Sequence, residues 1–214
     1  MGYDVIIAIK DGIEFIEQAI DSVLGQTLKP NQILLINDHS SDGSVELVLK
    51  KYPTVRLIHS DLHGQANALN LGLRVSKSEF IAFLDSDDYW SAKKQEKQMR
   101  LLLNHPDTYF ASSGVLNFLH GSDFKTASRQ FLKSKQLGAC TFRKKVFDEF
   151  GFFDTGAFEA VFIYEFFTRL GEIHFASTDS VELYRRIHNN NYWISQRKNL
   201  YSSLFKFLRE RKVT

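Results

Sequence analysis

The chain has 214 residues, a net charge of +2 and one cysteine, Cys140. That length suits a single domain over 1–214, the charge argues against a nucleic-acid partner, and one cysteine excludes an internal disulfide and fits a reducing, cytoplasmic compartment. No basic leader precedes "YDVIIAI" and no apolar run approaches the roughly 20 residues that span a bilayer, so the expectation is a soluble chain, at most attached to a membrane surface.

The β-branched run "DVIIAI" (4–9) predicts a buried strand. Over 12–26, Ile13, Ile16, Ile20, Val23 and Leu24 share one helical face. A second strand follows at 31–38, then a polar turn, "DHSSDGS", leading into a helix over 44–52. A third strand (55–60), a third helix (65–76) and a fourth strand (79–85) complete the rhythm. Such alternation implies an α/β fold on a mostly parallel sheet with right-handed crossovers. Beyond it the pattern predicts a helix over 91–105, a strand over 108–119 and a short helix within 142–154 stopped near Gly151. A buried helix over 158–171 and an extended segment over 173–188 follow. The polar stretch 121–136 reads as a loop or helix, and 197–212 as a basic helix. The 19 phenylalanines predict an aromatic core.

"FLDSDDYW" (83–90) places three carboxylates within four positions, at the end of the fourth strand. Hard oxygen ligands so confined suit Mg²⁺ or Mn²⁺, which take a few carboxylates together with phosphate oxygens. The competing reading is a helix cap for the segment after Ser91, with the other acids solvated. Asp38 ends the second strand. Ligands of open α/β sheets bind beyond strand carboxyl ends, so Asp38 and the acidic turn should converge.

The segments "DVIIAIKDGIEFIEQAIDSVLGQT", "QILLINDHSSDGS", "HGQANALNLGLRVSKSEFIAFLDSDDYW", "FRKKVFDEFGFFD" and "LYRRIHNNN" occur in this order. Each motif is weak alone, but their ordered set resembles the family-2 type of inverting glycosyltransferases, from about residue 4 to about 192. The resemblance implies a GT-A fold: a nucleotide-binding, Rossmann-like half (1–90), an acceptor-binding half (91–192) and a C-terminal basic helix (193–214). It implies that Ala8, Lys10 and Asp11 line the nucleotide base and that Asp38 accepts a hydrogen bond from it, which favours uracil. Asp85, with Ser86 beside it, would face the ribose or a water on the metal. Asp87 would hold the Mn²⁺ or Mg²⁺, with Asp88 and His188 as further contacts. Asn67 and Asn70 would orient the loop or touch the diphosphate, and Asn70 alternatively closes a helical turn. Asp38 alternatively caps the second helix, a role that fits Asp42 better.

Two positions depart from the family pattern. "A-I-K-D" (8–11) replaces the usual "P-x-Y-N". The family's "E-D", whose aspartate is the general base, falls on Phe162 and Ile163 when counted back from Arg169-Leu170. Glu159, one helical turn earlier, is the candidate substitute base, or a first-turn acid favouring the helix dipole. Glu165 should point elsewhere.

The resemblance thus implies transfer of a sugar from a nucleotide-diphospho-sugar, UDP-linked, to an acceptor hydroxyl with inversion. A saccharide or lipid-linked saccharide of surface polysaccharide synthesis would be the acceptor. The alternative is a non-catalytic nucleotide-sugar-binding or assembly subunit. A nucleotidyltransferase fits less well, because no Gly-rich, basic phosphate loop stands near the N-terminus. The helix over 197–212 would pack on the core, or contact a membrane or a protein partner.

Overall fold

In a computed structural model of the chain, residues 2–121, 128–131 (backbone only), 135–156, 161–171 and 173–188 are described. The first half is four strands and three helices in strict alternation: β1 (Tyr3–Ile9), α1 (Ile16–Leu24), β2 (Gln32–Asn37), α2 (Ser44–Lys51), β3 (Val55–His59), α3 (Gln65–Val75) and β4 (Phe80–Phe83). The strands pair in parallel in the order β3-β2-β1-β4. Both faces of this sheet are covered over β1, β2 and β4, which is why these strands read as near-continuous apolar runs, whereas the edge strand β3 exposes Arg56 and His59. Val5, Ile7 and Ile9 point to the side of α1, α2 and a later helix, whereas Ile6 points to the side of α3.

The second half continues with β5 (Tyr89–Trp90), α4 (Lys94–Asn104), β6 (Phe110–Leu119), β7 (Ser128–Phe131), a 3₁₀ turn (Leu137–Ala139), β8 (Thr141–Arg143), α5 (Lys145–Phe150), α6 (Phe162–Leu170) and β9 (Phe175–Ile187). β8 joins β4 antiparallel, and the sheet runs on through β6, β9 and β5, with β7 beside β6. The pairing is therefore parallel in the first half and mixed in the second, where only β6 and β9 run parallel.

Three local expectations are corrected. The first helix begins at Ile16, not near residue 12, because 12–15 form a turn. Ile13 consequently lies off the helical face and is 46% exposed. The stretch 121–136 is neither helix nor plain loop, since 128–131 form a strand on β6; 122–127 and 132–134 lie outside the described residues. The segment before α5 also supplies β8, too short for periodicity to reveal. The predicted helix at 197–212 falls outside the described residues. Among the described residues no helix is long and apolar enough to cross a membrane.

The family-like motifs turn out to be joints. Asn70 is buried; its amide donates to the Phe153 carbonyl at 2.9 Å and its oxygen accepts the Phe153 N–H at 3.0 Å. It thus ties the segment 68–72 to the segment 151–154, and the turn-closing alternative gives way to this bridge. Beside it Phe83, Phe142, Phe147, Phe153 and Phe166 interlock edge to face, with Phe147 and Phe166 stacked at 5.2 Å. Asn70→Ala would strand two buried backbone groups and is expected to cost about 1–3 kcal/mol, read from urea unfolding. An unchanged midpoint would refute the bridge.

Gln26, of the "L-x-Q-T" motif, works likewise. Its amide donates to the Ser91 carbonyl at 2.7 Å and its oxygen accepts the Gln95 N–H at 3.0 Å, which fastens α1 to the chain just past the acidic turn.

Lys94 is wholly buried, with its ammonium 2.9 Å from Gln98 Oε1 and 4.1 Å from the Trp90 ring centroid. Burial pulls its pKa down to about 7. Above that pH the native chain has shed a proton that the unfolded chain still holds, so stability rises with pH. Lys94→Met should erase this slope, leaving wild type to gain about 1–2 kcal/mol relative to the variant between pH 7 and pH 8.5. Parallel urea titrations at both pH values test this; equal shifts in the two proteins would refute it.

Candidate active site

The carboxyl ends of β1, β2 and β4 open into a cleft of about 1380 Å³. Ala8, Lys10, Asp11, Asp38, Asp85, Ser86, Asp87, Asp88 and His188 all line it. Residues about 50 apart in sequence are thus brought together, as the strand ends require. Asn67 is not among the lining residues; its amide donates to the His63 carbonyl at 2.8 Å. Glu159 lies outside the described residues.

Beyond Leu84 the chain makes a tight turn in which the Asp88 N–H donates to the Asp85 carbonyl at 3.2 Å. The turn brings carboxylate oxygens of Asp85, Asp87 and Asp88 within 4.8 Å of one another. Asp88 is buried, and its Oδ1 accepts the Arg186 N–H of β9 at 2.8 Å. Arg186 adds a bond from Nε to the Asp87 carbonyl at 3.0 Å, its guanidinium lying between the rings of Phe15 and Phe118. Asp87 Oδ2 meets His188 Nε2 at 3.0 Å, and Asp85 Oδ1 accepts from Gln65 Nε2 at 2.9 Å.

Burial, and then the charge of Asp87, push the Asp85 carboxyl up to about 6 and the Asp88 carboxyl well above the usual range. Arg185 opposes both shifts. Clustered, partly desolvated acids of this kind are relieved by a cation. The all-oxygen donor set fits Mg²⁺ or Mn²⁺, and His188 stands ready beside Asp87. The helix that follows, α4, begins at Lys94 without a side-chain cap.

At the other end of the cleft, Asp38 Oδ2 accepts the Gly64 N–H at 3.0 Å. Asp42, not Asp38, serves the start of α2 from one residue before the N-cap Gly43: its Oδ1 accepts the Ser44 N–H at 3.0 Å while Oδ2 accepts that of Ile13 at 2.8 Å. Asp11 adopts a φ of 50°, and its Oδ1 accepts the Ser41 N–H at 2.7 Å, tying the turn after β1 to that after β2.

The far wall is α6, which presents Ile163, Tyr164, Phe167 and Thr168 to the cleft. Ile163 therefore occupies the cleft position that the family-like count assigns to a carboxylate. Glu165 points away and pairs with Arg169 at 3.2 Å. Gln65 and Arg185 are cleft residues that motif reading missed. The available signals were their places, Gln65 opening a helix after a strand end and Arg185 three residues before His188.

This arrangement is the GT-A fold of glycosyltransferases. The *Staphylococcus aureus* TarS fragment crystallised with UDP-GlcNAc superposes with a TM-score of 0.66 at 17% identity, covering 90% of this chain and 60% of that one. The *Pyrobaculum calidifontis* mannosyltransferase PcManGT, solved with GDP-Man and Mn²⁺, gives 0.67 at 17% identity, covering 97% and 64%. The model of glycosyl transferase family 2 matches residues 4–162, and the chain belongs to that family. An uncharacterized glycosyltransferase of *Rickettsia bellii* is 38% identical over 100 residues, 46% of this chain and 14% of the relative. The *Escherichia coli* enzyme WfaP, a UDP-Glc:alpha-D-GlcNAc-diphosphoundecaprenol beta-1,3-glucosyltransferase, is 32% identical over 100 residues, 46% of this chain and 40% of WfaP. The chain thus spans well under half the length of these two relatives.

Proposed function

We propose that the chain is a metal-dependent glycosyltransferase domain that moves a sugar from a UDP-linked donor to an acceptor hydroxyl with inversion. The observation that carries this is the single cleft holding Asp38 at one end and the acidic turn at the other. Asp38 accepts the imide N–H of uracil. Ala8, Lys10 and Asp11 line the base, and Asp85 and Ser86 face the ribose. Asp87, Asp88 and His188 would hold Mn²⁺ or Mg²⁺, which supplies positive charge to the diphosphate leaving group. Arg185 adds a second positive charge on the same side. The chain's own contribution is to fix the donor against these groups and to orient the acceptor for in-line attack.

The acceptor is a saccharide or lipid-linked saccharide of glycoconjugate synthesis; the acceptor in WfaP's name is a lipid diphosphate-linked sugar. Residues 1–214 act as one domain, and 197–212 are its candidate contact with a membrane or protein. Calorimetry with Mn²⁺ across UDP-, GDP- and CDP-sugars tests the donor reading, with UDP-sugars binding most tightly. Absence of binding by all three would overturn it.

A second reading is favoured by Ile163: a non-catalytic nucleotide-sugar-binding or assembly subunit. Turnover of a bound donor, lost in Glu159→Gln while donor affinity persists, would eliminate it and assign Glu159 as the base.

A further inference from the structure

A second cluster of metal-ligating side chains is built on Asp38, apart from the acidic turn; its two histidines are not among the cleft-lining residues. His39 follows Asp38 at the end of β2, and His63 stands just before α3. Their imidazoles stack with centroids 3.8 Å apart and planes 25° from parallel. His39 Nδ1 lies 3.2 Å and His63 Nδ1 4.0 Å from the same oxygen, Asp38 Oδ1. Ligand atoms of all three residues fall within 4.8 Å of one another. The carboxylate is nearly fully buried and its other oxygen is fixed by the Gly64 N–H, so Oδ1 is held toward the two rings.

Two imidazole nitrogens and one carboxylate oxygen form a borderline donor set, unlike the acidic turn, where carboxylate oxygens dominate. Such a set suits Zn²⁺ and its neighbours, whereas Mg²⁺ and Mn²⁺ prefer oxygens. With metal–ligand distances of about 2.1 Å, tetrahedral ligands stand about 3.4 Å apart. The Asp38–His39 pair, now within hydrogen-bond distance, stands at nearly that spacing, and an ion would replace that bond. His63, with its side chain 74% exposed, can rotate out of the stack to turn its ring nitrogen toward the same ion. Three protein ligands leave a fourth position open to water or another ligand.

We infer that Asp38, His39 and His63 form a second cation site selective for Zn²⁺-like ions, whose occupation excludes the nucleotide base from Asp38. The exclusion follows because the ion would occupy the oxygen that the base N–H needs. The cation site stands on its own geometry; the antagonism rests on the assignment of Asp38 to the base. Coupling of this kind is reciprocal, so a nucleotide must weaken Zn²⁺ by the factor by which Zn²⁺ weakens the nucleotide.

Co²⁺ serves as a coloured substitute for Zn²⁺, in protein carrying Asp85→Asn and Asp87→Asn so that the acidic turn no longer competes. The expected result is a set of visible absorption bands of a four-coordinate ion, bleached by Zn²⁺. Adding His63→Gln, at an exposed position, should weaken Co²⁺ binding at least 10-fold. Missing bands, or bands indifferent to His63→Gln and His39→Gln, would overturn the site. With the acidic turn intact and Mg²⁺ in excess, Zn²⁺ should weaken UDP binding at least 10-fold, and His63→Gln should abolish that effect. Undiminished UDP affinity would overturn the antagonism. If UDP fails to bind even without Zn²⁺, the base assignment falls and the antagonism with it, while the Co²⁺ bands still decide the cation site.

Discussion

Asp87→Asn is expected to abolish Mn²⁺-dependent binding of a UDP-sugar, weakening it at least 100-fold by calorimetry. Asp87 is the acid of the three that the resemblance matches to the metal ligand. Asp88 is buried and committed to the Arg186 N–H, and Asp85 is held by Gln65. Asp87 is half-buried and lines the cleft, with His188 on one oxygen. Replacing its carboxylate with an amide removes one unit of charge from the place where the ion would sit, while leaving the turn's backbone bonds in place. It also removes the nearest like charge from Asp85 and Asp88, which offsets the weakened contact with His188, so the variant should fold about as stably as wild type. Loss of binding with an unchanged or raised unfolding midpoint is therefore the signature of a ligand. Full retention of Mn²⁺-dependent binding would refute the assignment.

The first half of the fold was legible because β1, β2 and β4 are buried on both faces and its helices show a clear apolar stripe. Val5, Ile6 and Ile7 need no alternation to declare a strand, and the polar turn at 38–44 marks the crossover. The second half was less legible for a physical reason. β5 has two residues and β8 three, lengths at which neither period can register. Their placement depends on long-range partners: Tyr89 on Tyr184, Phe142 on Ile81. The first turn of the predicted helix failed for another reason, since Ile13 continues the apolar spacing while its backbone N–H is taken by Asp42.

In the site, sequence order located the acids but could not separate their duties. Asp38 and Asp42 are both acids of one polar turn, yet only Asp42 bonds the first N–H of α2. Asp85, Asp87 and Asp88 read alike, yet one is an anchor to β9 and one faces His188. The difference is set by strands that arrive about 100 residues later, which no local pattern encodes. Asn70 and Gln26 show the converse. Asn70, for which the resemblance offers a diphosphate contact, and Gln26, in a family-like segment, both hold backbone together.

Ile163→Asp is the sharpest test of how the cleft performs chemistry. The position faces the cleft from the first turn of α6, where family resemblance places the base. A general base contributes about 10²–10⁴-fold to such a transfer. If no other group takes the acceptor proton, Ile163→Asp should raise the rate of sugar transfer toward that range, with donor affinity unchanged because the proposed donor contacts, Asp38 and Asp85 among them, come from other elements than α6. The substitution is tolerable for the fold. Ile163 is only partly buried, so its loss costs on the order of 1–2 kcal/mol. An acid in the first turn recovers part of this through the helix dipole. The rate should also acquire an acid limb as the new carboxylate protonates, which a merely structural change would not produce. An unchanged rate in Ile163→Asp, together with a collapse in Glu159→Gln, would move the base one turn earlier in the chain. No transfer by wild type and robust transfer by Ile163→Asp would mean that Ile163 alone had silenced an otherwise complete site.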